Sequence, residues 1–332
     1  MEFVALIEDG HAKVEGGLEY LSGYYPIGFN FLHDGIFCVK AMKGRENLIG
    51  LKLVAIDGHP IAQVIDSLSQ MVSFDNEQTI KNRVTGFLNI PEVLEAYQLI
   101  NDKNSINYEF LVRDGKEQVA EITKVDFSDN IDWAEKKYNI KYPFRFELAK
   151  HYYNDTLIAN KNILYIDFNK VQNDKSFIPI DEYFQNISTK YQSNTIDKLL
   201  IDLRFNGGGN DYYNHFVIEF LEKEIKKNPQ LDIYLGIGKN TYSAAQKLIS
   251  RIQNNFEPIL IGENTGSSPN HFGDAVKIHL TNSNLNLKVS TIYHEDQPKN
   301  KSRSSMPEIK IPLTSIDFFN SSDPILSYLM FD

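Results

Sequence analysis

The sequence predicts an α/β protein in which a strand–helix core follows a smaller β-rich unit. Two observations carry this. From about residue 163 onward, apolar runs of strand length alternate with helical patterns: strands at Ile163–Asn169, Leu199–Leu203, Ile233–Ile237 and Pro258–Gly262, with helical stretches between them. Such alternation is the mark of an α/β sheet. Residues 27–125 instead hold short strand-like segments bounded by Gly, Asp and Asn turns, interrupted by three helical patterns.

With 332 residues the chain is long enough for two domains and a sizeable core. Its hydrophobic and charged fractions, 42% and 23%, are ordinary for a soluble globular protein. The net charge of −10 argues against nucleic acid or an anionic membrane surface as partner. A single cysteine, Cys38, excludes an internal disulfide, and its strand-like surroundings predict a buried, inert thiol. No apolar run approaches the length of a membrane span, and Met1–Ile7 is too short and too acidic for a signal peptide.

The chain opens on an apolar segment that reads as the end of a helix, followed by Glu8-Asp9-Gly10-His11-Ala12. Strand-like runs at Ile27–Phe31 and Gly35–Val39 flank a turn at His33-Asp34-Gly35. Leu48–Ile56 leads as a strand into the Asp57-Gly58 turn. Helical patterns cover Ile61–Met71, Glu77–Phe87 and Pro91–Ile100, the last with Pro at its first position. A hairpin of Ile106–Val112 and Gln118–Ile122 around Asp114-Gly115 closes the unit. Residues 126–154, with the only tryptophan at Trp133, read as a connector.

The chemistry concentrates in two strand-to-helix turns. Leu199–Leu203 ends at Asn206-Gly207-Gly208-Gly209, where backbone N–H groups can crowd a ligand as only Gly permits. A helical pattern through Phe216, Val217, Phe220 and Leu221 follows. Ile233–Ile237 ends at Gly238, and a helix starts from about Ser243. A serine at such a turn exposes its hydroxyl beside helix N–H groups that can stabilise an anion. Lys247, one turn further, reads as a solvated surface lysine, and Asp202 with Arg204 as an internal pair. Val276–Leu280 and Leu285–Val289 form a hairpin around Asn282-Ser283-Asn284. His215, His279 and His294 stand isolated, and no His/Cys/Asp/Glu set has metal-ligand spacing, so no metal or other cofactor is expected.

Four motifs in order resemble the C-terminal processing (tail-specific) serine peptidases and their tricorn-like relatives. They are Ile201–Gly209, Thr241–Ala245, Gly262-Glu263-Asn264-Thr265-Gly266 and Pro307-Glu308-Ile309. The likeness is strongest over about residues 155–312. It implies a layered core like that of the Clp protease and crotonase folds over residues 126–332. Residues 27–125 would be a PDZ-like domain, and residues 1–26 the remnant of an N-terminal helical segment. Ser243 would be the nucleophile, with N–H groups of Gly208 or Gly209 and of Ala244 as the oxyanion hole. The family's lysine position is held by Ser268, so a Ser–Lys dyad is not expected. The tricorn-like branch takes its base from a motif that Glu8–Ala12 resembles, which implies His11. That branch's orienting glutamate is missing from Ser302–Met306, and Glu295 and Asp296 lie upstream. His271 is expected to line the site as a substrate contact or a second candidate base. By the PDZ likeness, Ile27-Gly28-Phe29 would be the loop that holds a peptide carboxylate. The implied partner is a peptide or unfolded protein, in an exported or cell-envelope setting. A catalytically inactive peptide- or lipid-binding relative is the alternative.

Overall fold

The computed structural model describes residues 1–112, 115–135 and 151–331. It divides into two compact units. The first joins Met1–Tyr138 with Asp274–Ile292 and Thr314–Asn320, and the second joins Asn139–Gly273 with Tyr293–Leu313 and Ser321–Asp332. Two late segments therefore belong to the early unit, a return that a division at single chain positions does not express.

The second unit is built on a six-stranded sheet. In spatial order its strands are Ile309–Lys310, Ile259–Gly262, Asp232–Ile237, Lys198–Asp202, Ile163–Phe168 and Tyr153–Ile158. All neighbours pair in parallel except the last two. Successive side chains of a strand point to opposite faces, and both faces here are apolar. Leu164, Ile166, Leu199, Ile201, Ile233, Leu235 and Leu260 pack with the helices Ile180–Lys190, Asn214–Lys227 and Ala244–Asn255. Ile163, Tyr165, Leu200, Tyr234 and Ile261 pack on the other face with Ile325, Leu326 and Leu329 of the Pro324–Phe331 helix. Double coverage is why these strands read as continuous apolar runs rather than alternating ones.

In the first unit a seven-stranded sheet runs Ile27–Leu32, Gly35–Met42, Lys52–Ile56, Ser105–Leu111, Glu117–Thr123, with His59–Pro60 and Trp133–Glu135 as additional strands. Ser105–Leu111 alternates buried and more exposed residues, and Ile106, Tyr108 and Phe110 enter a core with Val64, Leu68, Val84 and Leu94. Trp133 is part of a strand, paired with Met42, rather than of a connector. The Lys40 ammonium lies 4.3 Å from its ring centre, a contact that favours this edge. Residues 136–150 of that stretch lie outside the described residues. The Glu77–Phe87 pattern is an α-helix only over Glu77–Arg83, and Val84–Phe87, which holds Gly86, tightens to a 3₁₀ turn. The helix from Pro91 stops at Ala96, because Gln98 takes φ 55°. A separate three-stranded sheet joins Lys13–Glu15, Leu285–Val289 and Val276–Leu280. Cys38 is fully buried, which pushes its thiol up to about 12 and leaves it protonated at neutral pH.

Candidate active site

Loops at the C-terminal ends of adjacent parallel strands emerge on one edge of a sheet. Lys198–Asp202 and Asp232–Ile237 are such neighbours, so the Gly turn and the Ser243 turn meet. Asn206 joins them: it is fully buried, its Nδ2 donates to Phe168 O (2.9 Å), and its Oδ1 accepts from Gly208 N–H (2.9 Å). The Asn206 carbonyl accepts from Tyr242 N–H (3.0 Å). Thr241 adds a second tie, its hydroxyl donating to Leu203 O (2.7 Å) and accepting from Gly238 N–H (3.0 Å).

Ser243 is the N-cap of the Ala244–Asn255 helix, half-buried, with φ 55° and ψ −123°. For a residue with a Cβ this is a strained backbone. Its hydroxyl makes no capping bond, so the residue is held there without the usual N-cap reward. A β-carbon on Gly208 would lie 2.8 Å from Ser243 Cβ, 2.8 Å from Tyr242 O and 2.9 Å from Ala244 N. Gly208 also has φ 94°, so two independent constraints require glycine there.

Of the three N–H groups expected to face an oxyanion, Gly208 N–H is engaged by Asn206 Oδ1. Gly209 and Ala244 N–H donate to no other described residue.

Lys247 is 9% exposed rather than solvated. Its ammonium meets Asp211 Oδ2 at 2.7 Å and donates to His294 Nδ1 at 3.1 Å. Arg251 meets the same Asp211 oxygen at 2.6 Å. Burial pushes the Asp211 carboxyl up, but the Lys247 hydrogen bond and the Arg251 charge outweigh it and hold the carboxyl below the usual range. Asp211 follows the Gly turn, while both cations stand on the serine helix, so the ion pairs lock the two turns. Asn214 does the same without charge, donating to Asp211 Oδ1 and Ala244 O at 2.8 Å each.

His271 is 4% exposed on the Asn270–Gly273 strand. Its Nδ1 lies 2.9 Å from Ser268 O, which can only accept, so Nδ1 carries the proton. The ring centres of His271 and His294 are 5.7 Å apart, and with its Lys247 bond His294 is not isolated. Ser268 donates its hydroxyl to Arg303 O (2.8 Å). Ser305 accepts from Gln246 of the serine helix (2.8 Å), so Ser302–Met306 is stitched to the site although it holds no carboxylate. Glu295 lies exposed on the Ile292–Glu295 strand. Arg204 and Asp202 do pair internally. The guanidinium also meets Asp323 at 2.5 Å, and these two carboxylates overcome burial to hold it well above its usual value.

His11 lies in the first unit, where its backbone N–H donates to Asp9 Oδ1 (2.8 Å). Asp9, His11 and Asp75 each bring a ligand atom within 4.8 Å of the others. Spacing along the chain did not show this set, because Asp75 arrives from a distant segment. Ile27-Gly28-Phe29 is strand rather than loop, paired with Ala41, Lys40 and Cys38. The strand closes one end of the sheet order, so its other edge carries no strand partner among the described residues. A groove of about 910 Å³ lined by Phe37, Ile49, Leu51, Lys52 and Phe319 lies elsewhere in this unit and includes none of the three.

No protein-family model and no curated protein matches the sequence. Among solved structures, mature CPAF complexed with lactacystin is similar at TM-score 0.66 and 12% identity, over 99% of this chain and 85% of that one. Mature CPAF alone gives 0.64 at the same identity, over 99% and 84%. The photosystem II D1 C-terminal processing protease is a looser likeness, TM-score 0.41 at 10% identity over 93% and 80%. At such identities the likeness establishes architecture and nothing finer: this chain has the fold of mature CPAF.

Proposed function

We propose that the chain is a serine peptidase of the C-terminal processing type, acting on peptide or unfolded protein. The observation that carries this is Ser243, held at φ 55° on a helix N-terminus against Gly208. A structural N-cap needs no such strain, whereas a nucleophile on a sharp strand-to-helix turn does. Ser243 Oγ attacks the scissile carbonyl, and Gly209 and Ala244 N–H receive the oxyanion. The base is His11, on the strength of its motif, with His271 on the substrate side and Glu295 as a candidate orienting acid. The sheet beginning at Ile27-Gly28-Phe29 is read as PDZ-like, its open strand edge adding a peptide strand. The core is read as the Clp protease/crotonase layering.

Fluorophosphonate labelling tests the reading. Intact chain should label at Ser243, Ser243→Ala should not, and His11→Ala should label slower by several powers of ten. Absence of labelling in folded chain would overturn it and favour the inactive peptide- or lipid-binding alternative. That alternative is favoured by one observation, the absence of both the family's lysine at Ser268 and its glutamate in Ser302–Met306.

A further inference from the structure

We propose that Asp9, His11 and Asp75 form a binding site for a divalent transition-metal ion. The donors are two carboxylates and one imidazole, within 4.8 Å of one another. Tetrahedral zinc with bonds of about 2.0–2.2 Å sets its ligands about 3.4 Å apart, so closing the site asks for side-chain movements of about 1 Å. Both carboxylates are buried, Asp9 at 6% and Asp75 at 5% exposure, while the His11 side chain is 16% exposed and gives an ion an entry. The two segments that carry the ligands are already stitched together. Gly10 N–H donates to Asp75 Oδ1 at 2.8 Å, and one Arg83 nitrogen donates to both Gly10 O (2.8 Å) and Ser73 O (2.7 Å).

A second observation concerns charge. A buried carboxylate is costly unless a positive group answers it. Among the described residues, the only basic side chain in ion-pair reach of Asp9 is His11, with its Nδ1 at 4.0 Å. A dication seated among the three donors answers the Asp9 charge more fully than a proton on His11 can. Imidazole among the donors favours zinc, cobalt or nickel over the hard cations calcium and magnesium. An ion held there would occupy the imidazole proposed above as the base, so the metal would restrain the peptidase rather than drive it. The site itself does not depend on that reading.

The test uses the full chain carrying Ser243→Ala, so that its outcome is separate from whether the serine reacts. Zinc binding is measured by calorimetry, and cobalt is added separately to read ligand-field absorption. The expected result is one ion per chain, with affinity lowered at least about tenfold by His11→Ala and by Asp75→Asn. His294→Ala, which removes a histidine of the second unit, should leave it unchanged. Far-UV circular dichroism checks each variant. Should Asp75→Asn fail to fold, the partly exposed His11→Ala carries the comparison. No uptake of either metal, or uptake that survives His11→Ala, would overturn the proposal.

Discussion

Two turns at the ends of neighbouring strands solve the same geometric problem in opposite ways. After Lys198–Asp202 the chain must reverse into a helix through left-handed backbone, and it does so on glycine: Gly208 has φ 94° and Gly209 φ 148°. After Asp232–Ile237 a comparable reversal falls on Ser243 at φ 55°, where a Cβ makes it costly by about 1–3 kcal/mol. The first turn is relaxed and contributes bare backbone. The second is strained and contributes a hydroxyl. Glycine at 208 gives up a side chain so that serine at 243 can keep one, since the two Cβ positions compete for the same space. This teaches that strain here sits where a functional group is displayed, and that the relaxed turn is shaped around it.

The sharpest way to break this comparison is to put a side chain on the glycine side. Gly208→Ala should destabilise by about 3 kcal/mol, because its Cβ would meet backbone atoms of residues 242 and 244 that cannot swing away. Urea unfolding measures it, and a cost near zero would mean that the turns are not mutually shaped. Asn206→Ala should cost about 2 kcal/mol, since it strands the Phe168 carbonyl and the Gly208 N–H in a buried position. Freed of Asn206, the Gly turn should also exchange its amide protons faster. On the serine side the sign reverses. Ser243→Gly should stabilise by about 1 kcal/mol through relief of the left-handed strain, whereas Ser243→Ala should change stability little because the hydroxyl makes no cap bond. Equal stability of the two variants would remove the strain argument.

Much of this pair of turns was legible in the sequence. The apolar run Leu199–Leu203, the Gly triplet and the serine before Ala244-Ala245 each state a local requirement, and local requirements survive into the fold. Helix ends were less legible, as at Gln98, where left-handed backbone stops a pattern that reads onward to Ile100. The ties between distant segments were not legible. Lys247 reads as a surface lysine until Asp211 and His294 come together around it. Arg204 shows its neighbour Asp202 in sequence but not Asp323, which sits 119 positions away and also caps the last helix. Asp75 likewise meets the Asp9-Gly10-His11 loop through tertiary structure alone. Spacing encodes contacts along one element, and these contacts run between elements.

The smallest expected effect tests the electrostatic clasp between the two turns. Asp211 stands after the Gly turn and meets Lys247 and Arg251 of the serine helix. Asp211→Asn keeps the shape and an acceptor oxygen but removes the charge. At neutral pH it should destabilise by no more than about 1 kcal/mol, since the carboxylate is partly exposed and screened. The sign of its pH dependence follows from the lowered carboxyl. An unfolded chain binds this proton near pH 3.9, and the folded chain binds it only at lower pH. The charge therefore stabilises the fold fully above the unfolded value, and that contribution fades as pH falls through the folded one. Urea midpoints of parent and Asp211→Asn should differ at pH 7 and converge as both are acidified below about pH 3.9. A gap that persists undiminished into acid would assign the clasp to Asn214 and packing, and leave the two turns joined by neutral contacts alone.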